Sequence, residues 1–235
     1  MCGRFVLYRD SRELAEHFNL EGTPEARPRY NIAPSQKSLI VRAHPETGHR
    51  ELAALRWGLV PHWAKDTKVG YSLINARSET AATKPAFRDS MRHRRCLVAA
   101  DGWYEWNVTP HGKVPTFIQK VHRSGELATS FFAGLWATWR DKEKPDGAWL
   151  ETFTILTRDA APTLREIHDR MPMILPETEY TAWLDHSVTA ASAVELLANS
   201  VLEGFTYYSV STHVNNPKND DATCIDEAPS PWFGH

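Results

Sequence analysis

The chain begins "MCGRF", so removal of the initiator Met1 would leave Cys2 carrying a free α-amine and a thiol on one carbon skeleton. Such an amine titrates near ~8 and such a thiol near ~8.5, which makes both nucleophiles partly available at neutral pH. A cysteine elsewhere in a chain offers sulfur alone. An aminothiol needs a pocket and a proton carrier, and several stretches could supply them. "ADGWYEW" sets Glu105 among Trp103, Tyr104 and Trp106 just after a glycine turn. A carboxyl in aromatic surroundings is costly to ionise, which raises its pKa and suits it to proton transfer. "EIHDRMP" puts His168 at the end of a helical stretch broken by Pro172.

Three further stretches could hold or recognise a substrate. "INARSET" spaces Asn75, Arg77 and Glu79 two apart, the interval that places all three on one face of an extended strand. "LRWGLVPHWA" holds Trp57 and Trp63 around glycine and proline, which exposes at least one indole near a turn. "RYNIAPSQ" carries Asn31 and Pro34 in a loop before a strand. Taken singly, each has a plain structural alternative. Trp63 fits a half-buried aromatic, Glu105 an outward residue on an amphipathic strand, and His168 a complement to a helix dipole. Asn75 and Arg77 fit a satisfied strand network.

The elements that must position these residues are mostly strands. "SLIVRA", "RELAALRW", "RCLVAAD", "PTFIQKV", "TSFFAGLWATW", "ETFTILT" and "FTYYSVS" are rich in β-branched and aromatic residues and bordered by turn residues. Helical signals are fewer. "DSRELAEHF" starts with a capping box from Asp10 to Glu13, and "TLREIHD" repeats it from Thr163 to Glu166. "PETEYTAWL" offers Pro176 as a first helical position, and "TAASAVELLAN" reads as a helix ending near Asn199. Strands clustered between short helices predict an α+β fold with a mostly antiparallel, barrel-like sheet. No internal repeat and no Gly-, Ser- or Pro-rich linker divides the 235 residues, so one domain is expected.

Composition narrows the class. No apolar run approaches the ~20 residues of a membrane span, and the start lacks a signal-peptide core, so a cytoplasmic protein is expected. Cys2, Cys96 and Cys224 are widely spaced and make neither CxxC pairs nor an even disulfide set. Cys96 reads as a buried strand residue. The 11 histidines show no metal-ligand spacing and no phosphate-loop or dinucleotide motif occurs, so neither metal nor cofactor is expected. The net charge of −2 hides a polarity: residues 1–120 carry 19 Lys+Arg against 12 Asp+Glu, and the remainder 8 against 17. Such asymmetry is compatible with one basic face that meets a polyanion.

"MCGRF", "RYNIAPSQ", "WGLVPHW", "INARSET", "ADGWYEW", "HDRMP" and "VNNPKND" occur in the order seen in the SOS-response-associated peptidase (SRAP) family. The chain resembles that family from Cys2 to about Asp220, and its short bacterial members most closely, leaving about 221–235 as a tail. The resemblance implies a compact α+β domain with a basic groove for single-stranded DNA. It implies a sensor of abasic sites whose amino-terminal cysteine joins covalently to the ring-opened sugar aldehyde, shielding the strand from breakage. Cys2 would then be the nucleophile, with Asn75, Glu105 and His168 lining the pocket. Arg4, Arg77 and Trp63 fall where the family contacts the strand, and Pro34 would stack or wedge beside the bases. Arg88, Arg92, Arg94 and Arg95 in "AFRDSMRHRR" are offered as phosphate contacts on the basic character of that stretch.

The chemistry implied is an imine between the Cys2 amine and the aldehyde, closed by the thiol into a thiazolidine ring. The family label adds a peptidase activity that removes short amino-terminal extensions with the same cysteine. The expected partner is abasic single-stranded DNA, with replication-fork DNA as a further setting, a nucleoid location when bound, and a monomeric protein. Read without the family, the residues leave three other classes open. An amino-terminal-nucleophile amidohydrolase would release ammonia from glutamine without crosslinking DNA. A pure binding module would lose all DNA on denaturation. A cysteine protease acting on other proteins would need a substrate groove.

Overall fold

The computed structural model describes residues 2–228 except Glu21, His111, Arg123 and Pro145. In chain order the elements are β1 (Phe5–Leu7), α1 (Ser11–Phe18), β2 (Arg29–Ile32), β3 (Lys37–Ala43), β4 (Arg50–Trp57), β5 (Asn75–Arg77), α2 (Ser78–Ala81), α3 (Arg88–His93) and β6 (Arg95–Ala100). They continue with β7 (Gly102–Thr109), β8 (Gly112–Val121), β9 (Leu127–Ala128), β10 (Ser130–Trp139), β11 (Leu150–Asp159), β12 (Arg170–Pro172), α4 (Tyr180–Leu184), α5 (Ala190–Leu196) and β13 (Phe205–Ser209). Each of the seven strand-like runs read from the sequence falls on a strand of this set.

Five strands close on themselves. β10, β6, β3, β4 and β11 are hydrogen-bonded in that order, and β10 pairs again with β11. Every pairing in the ring is antiparallel except β4 with β11, which runs parallel through Arg56–Thr152 and Trp57–Phe153. Beyond that contact β11 carries β5 in parallel on one side and β12 antiparallel on the other. The second sheet, β13-β8-β7-β1-β2 with β9 on β8, is antiparallel throughout. The architecture is therefore α+β, a barrel-like sheet with a second antiparallel sheet and short helices.

Alternation along β1 and β7 builds two cores at once. Phe5 and Trp103 face the barrel: the Phe5 ring meets Trp57 at 5.1 Å and Phe132 at 6.3 Å, and Trp103 meets Phe132 at 5.9 Å. Each such aromatic pair contributes roughly 0.5–1.5 kcal/mol beyond the area it buries. Val6 and Tyr104 point the other way, into a smaller cluster with Phe117, Val210, Val214 and Cys224. Because Phe5 lies opposite Trp103 in register, Cys2 and Glu105 arrive at the same end of the sheet.

The helices follow local signals only where the sheet permits. α1 forms as read, with Asp10 as its cap accepting the Arg12 N–H at 2.9 Å. α5 is capped by Thr189 and runs into a 3-10 turn ending at Asn199. The box at Thr163 does not make an α-helix: only a 3-10 turn forms at Pro162–Leu164, since Ala160 N–H bonds Asp169 O and returns the chain to the sheet. Pro172 accordingly sits in β12 and breaks no helix. Pro176 caps a 3-10 turn at Glu177–Glu179 ahead of α4 rather than starting an α-helix. Asn31 lies inside β2, not in a loop. The expected tail is docked as far as it is described, with a 3-10 turn at Ala222–Ile225 and Ala228 N–H on Ser209 O; residues 229–235 lie outside the described residues. Among the described residues no helix is long and apolar enough to cross a membrane.

Candidate active site

Asn75 reaches the site through a tight crossing. Gly58 follows β4 at φ +111°, a conformation that favours glycine, and a Cβ there would stand 2.6 Å from Gly70 O. The crossing lets Trp57 Nε1–H bind Ile74 O at 2.8 Å, so the residue before β5 is anchored on the barrel. Asn75 then pairs with Ile155 of β11, and its Nδ2–H donates to Cys2 O at 2.6 Å. Its Oδ1 is buried with no partner among the described residues, which leaves an acceptor beside the cysteine.

Cys2 is fully buried, its thiol 3.9 Å from Arg4 O. Burial pushes the thiol pKa up, and the Glu105 charge pushes the same way against the charge of the chain's amino terminus. The sulfur is therefore a neutral thiol until a base takes its proton. Glu105, 3 % exposed on β7, is near enough for its charge to act on that thiol. Burial raises its carboxyl to about 7, with the amino-terminal charge opposing. A carboxyl at that value is half ionised at neutral pH and can both accept and return a proton.

His168 approaches from the other flank of β11, on the turn into β12. It is half-buried, and burial first, then the amino-terminal charge, hold its pKa below the usual histidine value. Its Nδ1 accepts the Arg170 N–H at 2.9 Å. The amino terminus acts electrostatically on Cys2, Glu105 and His168 alike, and Asn75 bonds Cys2 directly, so the fold brings all four residues to the start of the chain. Met1 itself lies outside the described residues.

The expected strand-contact residues divide. Trp63 is 47 % exposed, whereas Trp57 is buried, so the indole presented near the turn is Trp63. It lines one cleft with Pro61, Ser90 and Arg94, which places α3 beside it. Arg77 is exposed at the end of β5, and Arg88 and Arg92 are exposed on α3. Pro34 is half-buried in the turn between β2 and β3. Arg4 is committed inside the protein: Nη1–H groups donate to Asn31 Oδ1 at 2.6 Å and Val214 O at 2.9 Å, under the Trp106 ring. Arg94 lies over Trp136 at 5.7 Å.

Two expectations are overturned. Glu79 does not share a strand face with Asn75 and Arg77, because β5 ends at Arg77 and the chain turns into α2. Arg95 is no phosphate contact. It is fully buried, and its guanidinium donates to the carbonyls of Trp183 (2.7 Å), Met91 (2.8 Å), Val188 (3.1 Å) and Asp185. Each carbonyl left without a donor costs about 1–3 kcal/mol. Arg95→Ala is therefore expected to lower unfolding stability by about 3 kcal/mol or more in urea denaturation, and a change under about 1 kcal/mol would contradict this placement.

Two groups escape a reading of linear spacing. Asn31 Nδ2 lies 2.6–3.1 Å from the carbonyls of Val214, Asn216 and Asn219, and Asp220 accepts the Tyr30 and Asn31 N–H groups, so "RYNIAPSQ" and "VNNPKND" are one lock. His213, Asp221 and Cys224 bring ligand atoms within 4.8 Å of one another. Their own hydrogen bonds account for them. His213 Nδ1 lies 3.1 Å from Asn219 Nδ2 and Nε2 lies 3.1 Å from Asp221 Oδ2, so both ring nitrogens have hydrogen-bond partners within the protein.

What the fold and site define is a cluster at the first residues of an α+β domain, built on a buried cysteine, a buried carboxyl of raised pKa and an imidazole. The signature of the family described as SOS response associated peptidase (SRAP) matches residues 1–217, and the chain belongs to that family. It is 39% identical over 231 residues to the abasic site processing protein YoqW of Bacillus subtilis (strain 168), covering 96% of this chain and 99% of the relative. It is 34% identical over 233 residues to the abasic site processing protein YedK of Escherichia coli (strain K12), covering 96% and 99%. A solved structure of a Bacteroides thetaiotaomicron protein superposes with a TM-score of 0.83 at 25% identity, covering 97% of this chain and all of that one.

Proposed function

We propose that this protein processes abasic sites in single-stranded DNA by capturing the damaged sugar on Cys2. The observation that carries the reading is a cysteine one residue from the initiator, held by Asn75 beside a carboxyl raised to about 7, in a chain whose relatives bear abasic-site names. Met1 leaves first, because acylation removes the nucleophilicity of the amine. The amine nitrogen of Cys2 adds to the aldehyde carbon, and loss of one water gives the imine. The thiol then passes its proton to the Glu105 carboxylate as sulfur bonds the imine carbon, and the ring nitrogen takes a proton back. The second attack is intramolecular, so its effective concentration is high.

Asn75 orients the Cys2 backbone, and its buried Oδ1 can accept from the amine or a sugar hydroxyl. His168 shuttles a proton during sugar ring opening and reversal of the link. Trp63 and Pro34 meet bases, and Arg77, Arg88 and Arg92 hold phosphates without reading sequence. The same thiol would remove short amino-terminal extensions, the activity in the family's label. The protein acts as a cytoplasmic monomer on abasic single strands, including those at replication forks.

The test is incubation with a single strand bearing one abasic site, followed by denaturing electrophoresis and intact mass. The expected product has the summed mass of DNA and Met1-free protein less one water, at a yield insensitive to flanking sequence. Retention that vanishes on denaturation would favour a non-covalent binding module, and ammonia release from glutamine without crosslinking would favour the amidohydrolase reading.

A further inference from the structure

Glu79 stands on α2, where its carboxylate accepts from the Ser78 hydroxyl at 3.4 Å and, at much shorter range, from one guanidinium. Oε1 accepts from Arg170 Nη1 at 2.6 Å and Oε2 from Nη2 at 2.9 Å. The same guanidinium donates to Asp159 Oδ1 at 2.6 Å and to Thr157 O at 2.7 Å. Acceptors on α2 and β11 thus grip the Arg170 side chain, which is only 11 % exposed, and pin the backbone at the start of β12. That backbone N–H is the donor to His168 Nδ1. A neutral imidazole that accepts at Nδ1 must carry its proton on Nε2.

We propose that Glu79 is a positioning residue for His168: through Arg170 it fixes the imidazole's orientation and keeps the ring proton on Nε2. The inference rests on the role given to His168 in the proposed function. A simple bolt between α2 and β12 makes a different demand. Glu79 is about half exposed but Arg170 is not, so a purely structural pair would show its loss in thermal unfolding while leaving the His168 tautomer as in wild type. The charges that face the ring are the amino terminus, Asp169 and Arg170, and Glu79 is the counter-ion of the last.

The experiment compares wild type, Glu79→Gln and Glu79→Asp by nitrogen-15 NMR of the His168 imidazole in DNA-free protein, with thermal unfolding as the control for folding. Wild type is expected to show the Nε2–H form alone, Glu79→Gln a mixture of tautomers with a displaced titration, and Glu79→Asp a return toward wild type. With an abasic strand bound, release of the adduct should slow on the order of tenfold in Glu79→Gln, as expected when a reacting group loses its alignment, with a displaced pH profile. Glu79→Asp should recover most of that rate. A wild-type tautomer pattern and wild-type release profile in Glu79→Gln would overturn the proposal. If Glu79→Gln does not fold, an unchanged imidazole spectrum and release rate in Glu79→Asp with the Arg170 pair shown broken does so instead. The tautomer measurement needs no DNA, so a wild-type protein that captures no abasic strand would sink the proposed function and leave this test standing.

Discussion

Cys2→Ala is expected to abolish the heat-stable adduct while leaving the fold intact, the largest effect any single substitution should have. Without sulfur the amine can still reach the imine, but nothing traps it, and an imine reverses by adding water. Intramolecular closure in well-oriented systems carries an effective molarity of ~10⁵–10⁸ M, the advantage that the thiol supplies and alanine forfeits. Cys2→Ser separates the two nucleophiles: its hydroxyl would close a less stable oxygen ring, so an adduct should form and fall apart on heating. Denaturing gels before and after heating read both outcomes. A heat-stable adduct in Cys2→Ala at wild-type yield would remove the cysteine from the role given to it here.

The sequence carried seven of the longer strands, and the fold respects each of them; the eight-residue β7 was not among the runs read. The sequence also carried a barrel-like sheet but not which strands close it, because Arg56 and Thr152 pair across a long stretch of chain that no local periodicity registers. β5, β9 and β12 span two or three residues each, too short for alternation to be visible, and β5 and β12 are the ones that deliver Asn75 and the turn holding His168. Arg95 shows why charge patterning misleads. Its neighbours Arg92 and Arg94 reach outward to differing degrees, but β6 turns Arg95 toward carbonyls from α3, α4 and the chain beyond, and a sequence shows the charge without the acceptors. Glu79 misleads in the opposite way, since two-residue spacing implies a strand face only while the strand continues. Glu105 was legible for a local reason. The fully buried Trp103 stands two residues before it on the same face of β7, whereas Tyr104 and Trp106 pack on the opposite face.

Glu105→Gln is expected to slow adduct formation by about 10²-fold or more, within the range for loss of a positioned general base. The pH dependence sharpens the expectation. A carboxyl raised to about 7 is the base only above that value, so the wild-type rate should rise through pH about 7, and the glutamine variant should lose that rise. Glu105 is coupled to the amino terminus, so the glutamine variant removes the carboxyl's titration together with its pull on that terminal charge. Stability should move the other way. A carboxyl whose folded pKa lies above its unfolded value of 4.5 binds its proton more tightly in the folded state, and stability is lost as pH rises between 4.5 and about 7. Taken to completion that loss is roughly 3 kcal/mol, so the variant should be the more stable protein at pH ~8 and lack the wild type's decline. The two expected results together, a fold weakened and a reaction accelerated by the same ionisation, would mark Glu105 as placed for chemistry. Equal crosslinking rates in wild type and Glu105→Gln across the pH range would take Glu105 out of the proton path, whatever its effect on unfolding.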